Sequence, residues 1–223
     1  GMAPDVYLLS VKAFDASGSG SYTDVLDGLK PSGNVQALNV AVPINEPVKT
    51  RFSGRLQQVS VASYKQLPAG KNISGVVRGS AANGSLNLRS EQFQLSLPTT
   101  YEAPLDYQRM EGEFKWRSDS DGFNLRSNRF TVLGDDGAIS GFLGLDFPRA
   151  DHPYRQASMD LLVGLKGGSV TRVERYLPYK MNDGLRQWLV AALQDGQVDS
   201  AAVLYRGSIA KGSEDSERTL QMN

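Results

Sequence analysis

One pattern is written twice in this chain. Leu86-Asn87-Leu88-Arg89-Ser90, followed by Phe93 and Leu95, returns as Phe123-Asn124-Leu125-Arg126-Ser127, followed by Phe130 and Val132. The spacing is a constant 37 residues from Leu86 to Phe123, and at the same spacing Ile73 matches Met110, Gly75 matches Gly112 and Val77 matches Phe114. A gap-free repeat of this length marks stacked supersecondary units, each too small to bury an apolar face alone. Within each copy the apolar residues alternate, as in a strand with one buried face. Each copy reads as strand, hairpin, strand, short turn, strand. The hairpin turn is placed at Ala82-Asn83-Gly84, since Asn-Gly supplies positive φ angles. Asp119-Ser120-Asp121-Gly122 and Gly134-Asp135-Asp136-Gly137 read as solvated turn tips.

Alternation continues on both sides of the repeat. A strand is expected at Val6–Phe14 and a helical turn at Val25–Leu29 before Pro31. Val35, Leu38, Val40 and Val42 shift spacing once, which predicts a β-bulge. Phe52, Gly54 and Leu56 alternate, and Val59 and Val61 resume after a slip of register. Ile139, Leu143, Leu145 and Phe147 form a further face, and Met159, Leu161, Val163 and Leu165 alternate strictly. Roughly ten to twelve strands joined by hairpins predict a mainly β, antiparallel fold. A closed sandwich or barrel fits the count. So does an elongated, curved sheet forming a groove or half-open barrel, which the repeat favours.

A single segment has the period of an amphipathic helix. Leu185, Trp188, Leu189, Ala192 and Leu193 fall on one face, Asn182 is placed to cap the start, and Asp183 suits the positive end of the dipole. Gly196 is expected to close the helix, and Val198–Gly207 returns to strand pattern. This helix is expected to cover the sheet, with Trp116 and Trp188 both in the core. The domain reading is a repeated β region over 1–175, with copies at 73–97 and 110–134. A helix and returning strand of the same domain follow at 176–211, then a polar tail at 212–223, expected to be disordered.

Chemistry-bearing constellations are absent from the pattern. With 24 basic and 24 acidic residues and no basic–aromatic interleaving, a nucleic-acid partner is not expected. There is no Cys, and the single His152 stands in a loop-like Asp151-His152-Pro153 without a nucleophile partner. Gly18-Ser19-Gly20 lacks the Lys-Ser/Thr of a phosphate loop. A calcium loop starting at Asp119 would need its bidentate acid where Phe130 stands. The expectation is no catalytic set, no metal and no cofactor. No apolar run is long enough to span a membrane. Gly1-Met2 has the look of an expression remnant, and the chain is expected to be an internal piece of a longer protein.

The order of motifs resembles the AsmA-like, YhdP-type proteins of the Gram-negative envelope, relatives of the TamB-like bridge-type lipid transporters. The likeness is densest at Tyr176-Leu177-Pro178, Met181, Leu185, Trp188-Leu189, Ala192-Leu193, Gly196-Gln197-Val198 and Gly207. It extends upstream through Leu67-Pro68, Asn72-Ile73-Ser74-Gly75, Gly112-x-Phe114-x-Trp116 and Gly122-Phe123-x-Leu125. The resemblance implies a periplasmic section of a long protein anchored in the inner membrane, whose repeated β-structure forms a groove. Through that groove phospholipid would pass between the inner and outer membranes. The partners implied are phospholipid acyl chains and other segments of the same long chain, with no enzymatic role. After Gly207 the family continues into strand sequence, whereas here Gly212–Glu217 is polar.

The candidate groove lining is Leu86, Leu88, Phe93, Leu95, Phe114, Trp116, Phe123, Leu125, Phe130, Val132, Leu161, Val163 and Leu165. Alternation says that these share a side of their strands; it does not say whether that side is an open groove or a closed core. The alternative is therefore a structural or protein-interaction domain of the envelope, its core closed by side chains and the helix, with no ligand.

Overall fold

The computed structural model describes residues 30–43, 49–63, 68–80, 82–98, 100–149, 156–178, 181–209 and 218–222. The strand expected at Val6–Phe14, the helical turn at Val25–Leu29 and His152 lie outside these. Among the described residues eleven strands form one antiparallel sheet. They are β1 (Ser32–Ala41), β2 (Arg51–Val61), β3 (Ala69–Ser80), β4 (Asn83–Ser96), β5 (Leu105–Ser118), β6 (Gly122–Ser127), β7 (Phe130–Gly134), β8 (Gly137–Pro148), β9 (Ser158–Ser169), β10 (Gln197–Ser208) and β11 (Arg218–Met222). Spatial order follows chain order, with β6 and β7 sharing one place between β5 and β8. The terminal strands β1 and β11 do not meet, so the sheet is not a closed barrel. Hairpin topology explains most of the order, since short connections let the next strand pair with the last; only β9 and β10 are joined by a long excursion, from Val170 to Gly196.

The repeat is a hairpin of two long strands. Copy one is β3–β4; copy two is β5 followed by β6 and β7. The short turn expected near Glu91 is a bulge inside β4, at Gln92 with φ +51°. Its counterpart in the second copy, near Arg129, breaks the strand into β6 and β7. The hairpin turn is also placed differently. Gly84 is already in the ladder, opposite Gly79 and Trp116, and neither Asn83 nor Gly84 has positive φ. The Ser80 hydroxyl closes the turn instead, accepting from the N–H groups of Ala82 and Asn83 at 3.2 Å.

Bulges at Gln58, Asn72 and Gln92, with φ of +50°, +59° and +51°, lie side by side across β2 to β4. A further one at Ala37, with φ +49°, lies elsewhere along β1, opposite Gly54. Two serines bridge the ladder there. The Ser74 hydroxyl accepts from Gln58 N–H at 3.0 Å, and the Ser90 hydroxyl accepts from Ser74 N–H at 2.9 Å. The Asn72 amide donates to Gln92 O at 2.8 Å. Together they make a crease that bends the sheet and restores the side of each strand that faces inward.

Helix α1 (Asp183–Ala192) follows a 3₁₀ turn at Val170–Tyr176. Asn182 caps it as its residue type suggests, the side chain accepting from Leu185 N–H at 3.2 Å. Asp183 lies in the first turn, as expected, but the closing residue and the packing of the stripe are corrected. The helix stops at Ala192 with Leu193 as C-cap, and Gly196 leads into β10 instead. Its apolar stripe is not packed: Trp188 is 64% exposed, Leu185 and Ala192 are exposed, and Leu189 and Leu193 are half-buried. Among the described residues the helix makes no extensive contact with any strand. Trp188→Ala is therefore expected to change unfolding free energy by no more than about 0.5 kcal/mol, the surface range; a urea titration of both proteins checks it. The polar tail is corrected too. Arg218–Met222 pairs with β10 from Gly207 to Val203, because the free β10 edge offers unpaired N–H and C=O groups.

Candidate functional site

Cross-strand pairs point to the same face of a sheet, so the register decides which apolar residues share a side. One row reads Phe52, Gly79, Gly84, Trp116, Leu125, Leu145, Met159 and Gly207 from β2 to β10. Leu86 and Phe114 pair in the next row, as do Leu143, Leu161 and Tyr205 further along. A third holds Gly75, Leu88, Gly112, then Phe130, Gly141, Val163 and Val203. A fourth runs Ser90, Met110, Val132, Ile139, Leu165 and Ala201. Phe123 pairs with Phe147 beyond the first row. Beyond the crease, Phe93 and Leu95 pack into the same cluster as Val132, Met110 and Ile139. All thirteen candidate lining residues thus lie on one face, called here the inner face. The helix residues do not join them.

Burial along this face is graded. Phe93, at 6% exposed, clusters with Leu105, Tyr107 and Val132, and Tyr101 and Tyr176 pack over them. Leu88 is also buried. Leu86, Leu95, Phe114, Trp116, Leu125, Phe130, Leu161, Val163 and Leu165 are half-buried, and Phe123 is exposed. The strand ends near Phe93 are closed and those near Phe123 are open. Glycine lets the rings lie flat. A Cβ on Gly84 would sit 2.1 Å from Trp116 Cζ2, and one on Gly141 would sit 3.1 Å from Phe130 Cζ. Trp116 stacks on Phe52 at 6.3 Å and 11°, and Phe114 on Phe130 at 6.3 Å and 20°.

The closed end is fastened by a polar cluster that the sequence does not announce. Asp136, expected at a solvated turn tip, is buried. Its Oδ2 accepts from the Tyr176 hydroxyl at 3.0 Å and from Arg175 Nη1 at 3.4 Å. Its Oδ1 lies 3.1 Å from Arg172 Nη1 without an aligned hydrogen bond, so that contact is between charges. The 3₁₀ turn carrying these side chains is thereby held over the Phe93 cluster. Burial, ahead of its neighbours' charges, pushes the Tyr107 phenol up to about 12 and raises that of Tyr176 as well. Both phenols hold protons more tightly folded than unfolded. Stability should therefore be unaffected below the ordinary tyrosine value near 10 and fall as pH climbs from there toward 12. Burial raises the Tyr101 phenol too, so alkaline titration followed by phenolate absorbance should show three tyrosines ionising later than the exposed ones, and Tyr107→Phe should reduce the alkaline loss.

Among the described residues no group of His, Asp or Glu is placed to hold a metal, and no helix is long and apolar enough to cross a membrane. What remains is a one-layer antiparallel sheet, one face lined by apolar side chains from β2 to β10: the architecture of an open apolar groove. The chain belongs to the YhdP family, whose model, described as YhdP protein, matches residues 8–221. It is similar to the intermembrane phospholipid transporter YhdP of Escherichia coli (strain K12), at 28% identity over 203 residues. That match covers 90% of this chain and 16% of the relative. No solved structure matches.

Proposed function

We propose that this chain is a section of a periplasmic conduit whose inner face carries phospholipid acyl chains between the inner and outer membranes of a Gram-negative bacterium. The parent protein would be anchored in the inner membrane. The observation that supports this most is the shared face of the thirteen apolar residues. Their rows run across the strands, along the length of the sheet. Ten strands in line span about 43 Å at the usual spacing. A lipid tail lying along these rows would meet apolar side chains throughout, and each CH₂ kept from water is worth ~0.8 kcal/mol. Such a path needs no catalytic group. The half-buried and open rows between Leu88 and Phe123 are the proposed path, with the Phe93 cluster as its closed wall.

That same cluster favours a second reading, a structural domain whose core is sealed by Tyr101 and Tyr176. Lipid extraction and native mass spectrometry of the purified chain separate the two. The conduit requires co-purifying phospholipid, and a photo-crosslinker at Phe130 or Phe123 must label lipid. A lipid-free protein whose crosslinks are all to protein would leave only the structural reading.

A further inference from the structure

The outer face changes character along the sheet. On β4 to β6 it carries Arg89, Glu111, Lys115, Arg117, Asn124 and Arg126, an ordinary solvated surface. On β8 to β10 it carries the cross-strand row Phe142, Leu162 and Leu204, flanked on one side by Gly144, Asp160 and Arg206, the last two paired at 3.0 Å. Phe142 is 49% exposed and Leu162 45%, so this row is an apolar ledge facing water. Beside it lie two rows of mostly small residues. Thr131, Ser140, Gly164 and Ala202 form one; Leu133, Ala138, Lys166 and Ser200 form the other. Along them runs a shallow cleft of about 380 Å³ whose lining also takes in Val132, Ile139, Leu165 and Ala201 of the intervening row; it holds Arg109, Arg129 and Lys166 and no acidic residue.

These cations are unequal. Arg109 is paired with Glu91 at 2.9 Å. Arg129 donates to the Ser140 hydroxyl at 3.2 Å, and among the described residues neither it nor Lys166 is paired with a carboxylate. In a chain with equal numbers of acids and bases, a cleft with cations only is a local departure.

We propose that this outer surface of β7 to β10 docks an acidic, amphipathic segment of a partner protein. The ledge supplies sites for apolar anchors, and Arg129 and Lys166 supply the charge that selects carboxylates. The floor of Gly164, Ala138 and Ser140 admits close approach of the partner's backbone. Lys166 stands four residues from Leu162 on the same face, about 13 Å along the strand. The segment therefore carries its acid about nine residues from its anchor if helical, or about four if extended. A protein segment brings its own body to cover the ledge. A single acyl chain in so shallow a cleft would keep one side in water. This surface lies on the opposite side from the proposed lipid path, so the inference stands independently of it.

Fluorescence anisotropy with two labelled synthetic peptides tests it. Both have Leu along one helical face; the other face carries Glu in one peptide and Lys in the second. The Glu peptide should bind at least about tenfold more tightly, the equivalent of one good ion pair, with affinity falling as salt is raised. Arg129→Glu with Lys166→Glu should abolish or reverse that preference, and Phe142→Ser should weaken binding of the Glu peptide. Phe123→Ser, on the inner face, should leave binding unchanged. The substituted outer-face side chains extend into solvent, and circular dichroism verifies that each variant is folded. Absent binding, equal binding of both peptides, or an unaltered preference in the charge-reversed variant overturns the proposal. Co-sedimentation with phosphatidylglycerol vesicles through these same residues, without peptide binding, overturns it in favour of a membrane surface.

Discussion

Phe93→Ala is expected to destabilise the sheet by about 3–5 kcal/mol, the range for truncating a buried aromatic residue. The ring is buried against Tyr107, with centroids 6.4 Å apart and planes at 15°, and it touches the cluster that Tyr101 and Tyr176 close. A one-layer sheet has little material with which to refill such a hole. Urea unfolding followed by circular dichroism measures the loss. Phe123→Ala, at the open end of the same face, should cost less than about 1 kcal/mol, since the ring is already 38% exposed. Equal losses at the two positions would mean that the face is not graded from closed to open.

The second large effect separates the two faces within one strand. Leu161→Glu places a carboxylate on the inner face of β9, between Leu143 and Tyr205. Leu162→Glu places the same group on the outer face one residue later. An ionised carboxylate beside an acyl chain in an apolar groove is costly. Leu161→Glu is expected to lower retained phospholipid by about tenfold or more, whereas Leu162→Glu retains the wild-type amount. Lipid extraction per mole of folded protein gives both values. Retention unchanged in Leu161→Glu would remove this row from the proposed lipid path.

Much of the architecture is legible because its signal is local. Alternation fixes which residues share a side of each strand, and the 37-residue repeat fixes that neighbouring hairpins are equivalent. Even the slips of spacing after Leu56 and at Leu38 carry meaning, since bulges sit there at Gln58 and Ala37. What escapes is decided by partners far away in sequence. Gly84 reads as a turn residue from its Asn-Gly context, yet it is glycine because the Trp116 ring, 32 positions on, occupies the space above it. Asp136 reads as a turn tip, yet Arg172, Arg175 and Tyr176 bury it from another element. The helix stripe shows where a helix forms, but nothing in its period says that a surface lies opposite. The family likeness rests on strand and helix patterns that the structure reproduces, so it extends to the fold more directly than to any single side chain.

The line of bulges from Gln58 to Gln92 has a mechanical consequence. At Gln58 and Ser74 the amide protons are received by serine hydroxyls, not by carbonyls fixed in the opposite strand. A hydroxyl swings about its own side-chain bonds and can follow a moving amide through a range of angles. The two halves of β2 to β4 can therefore pivot about this line with their bonds intact.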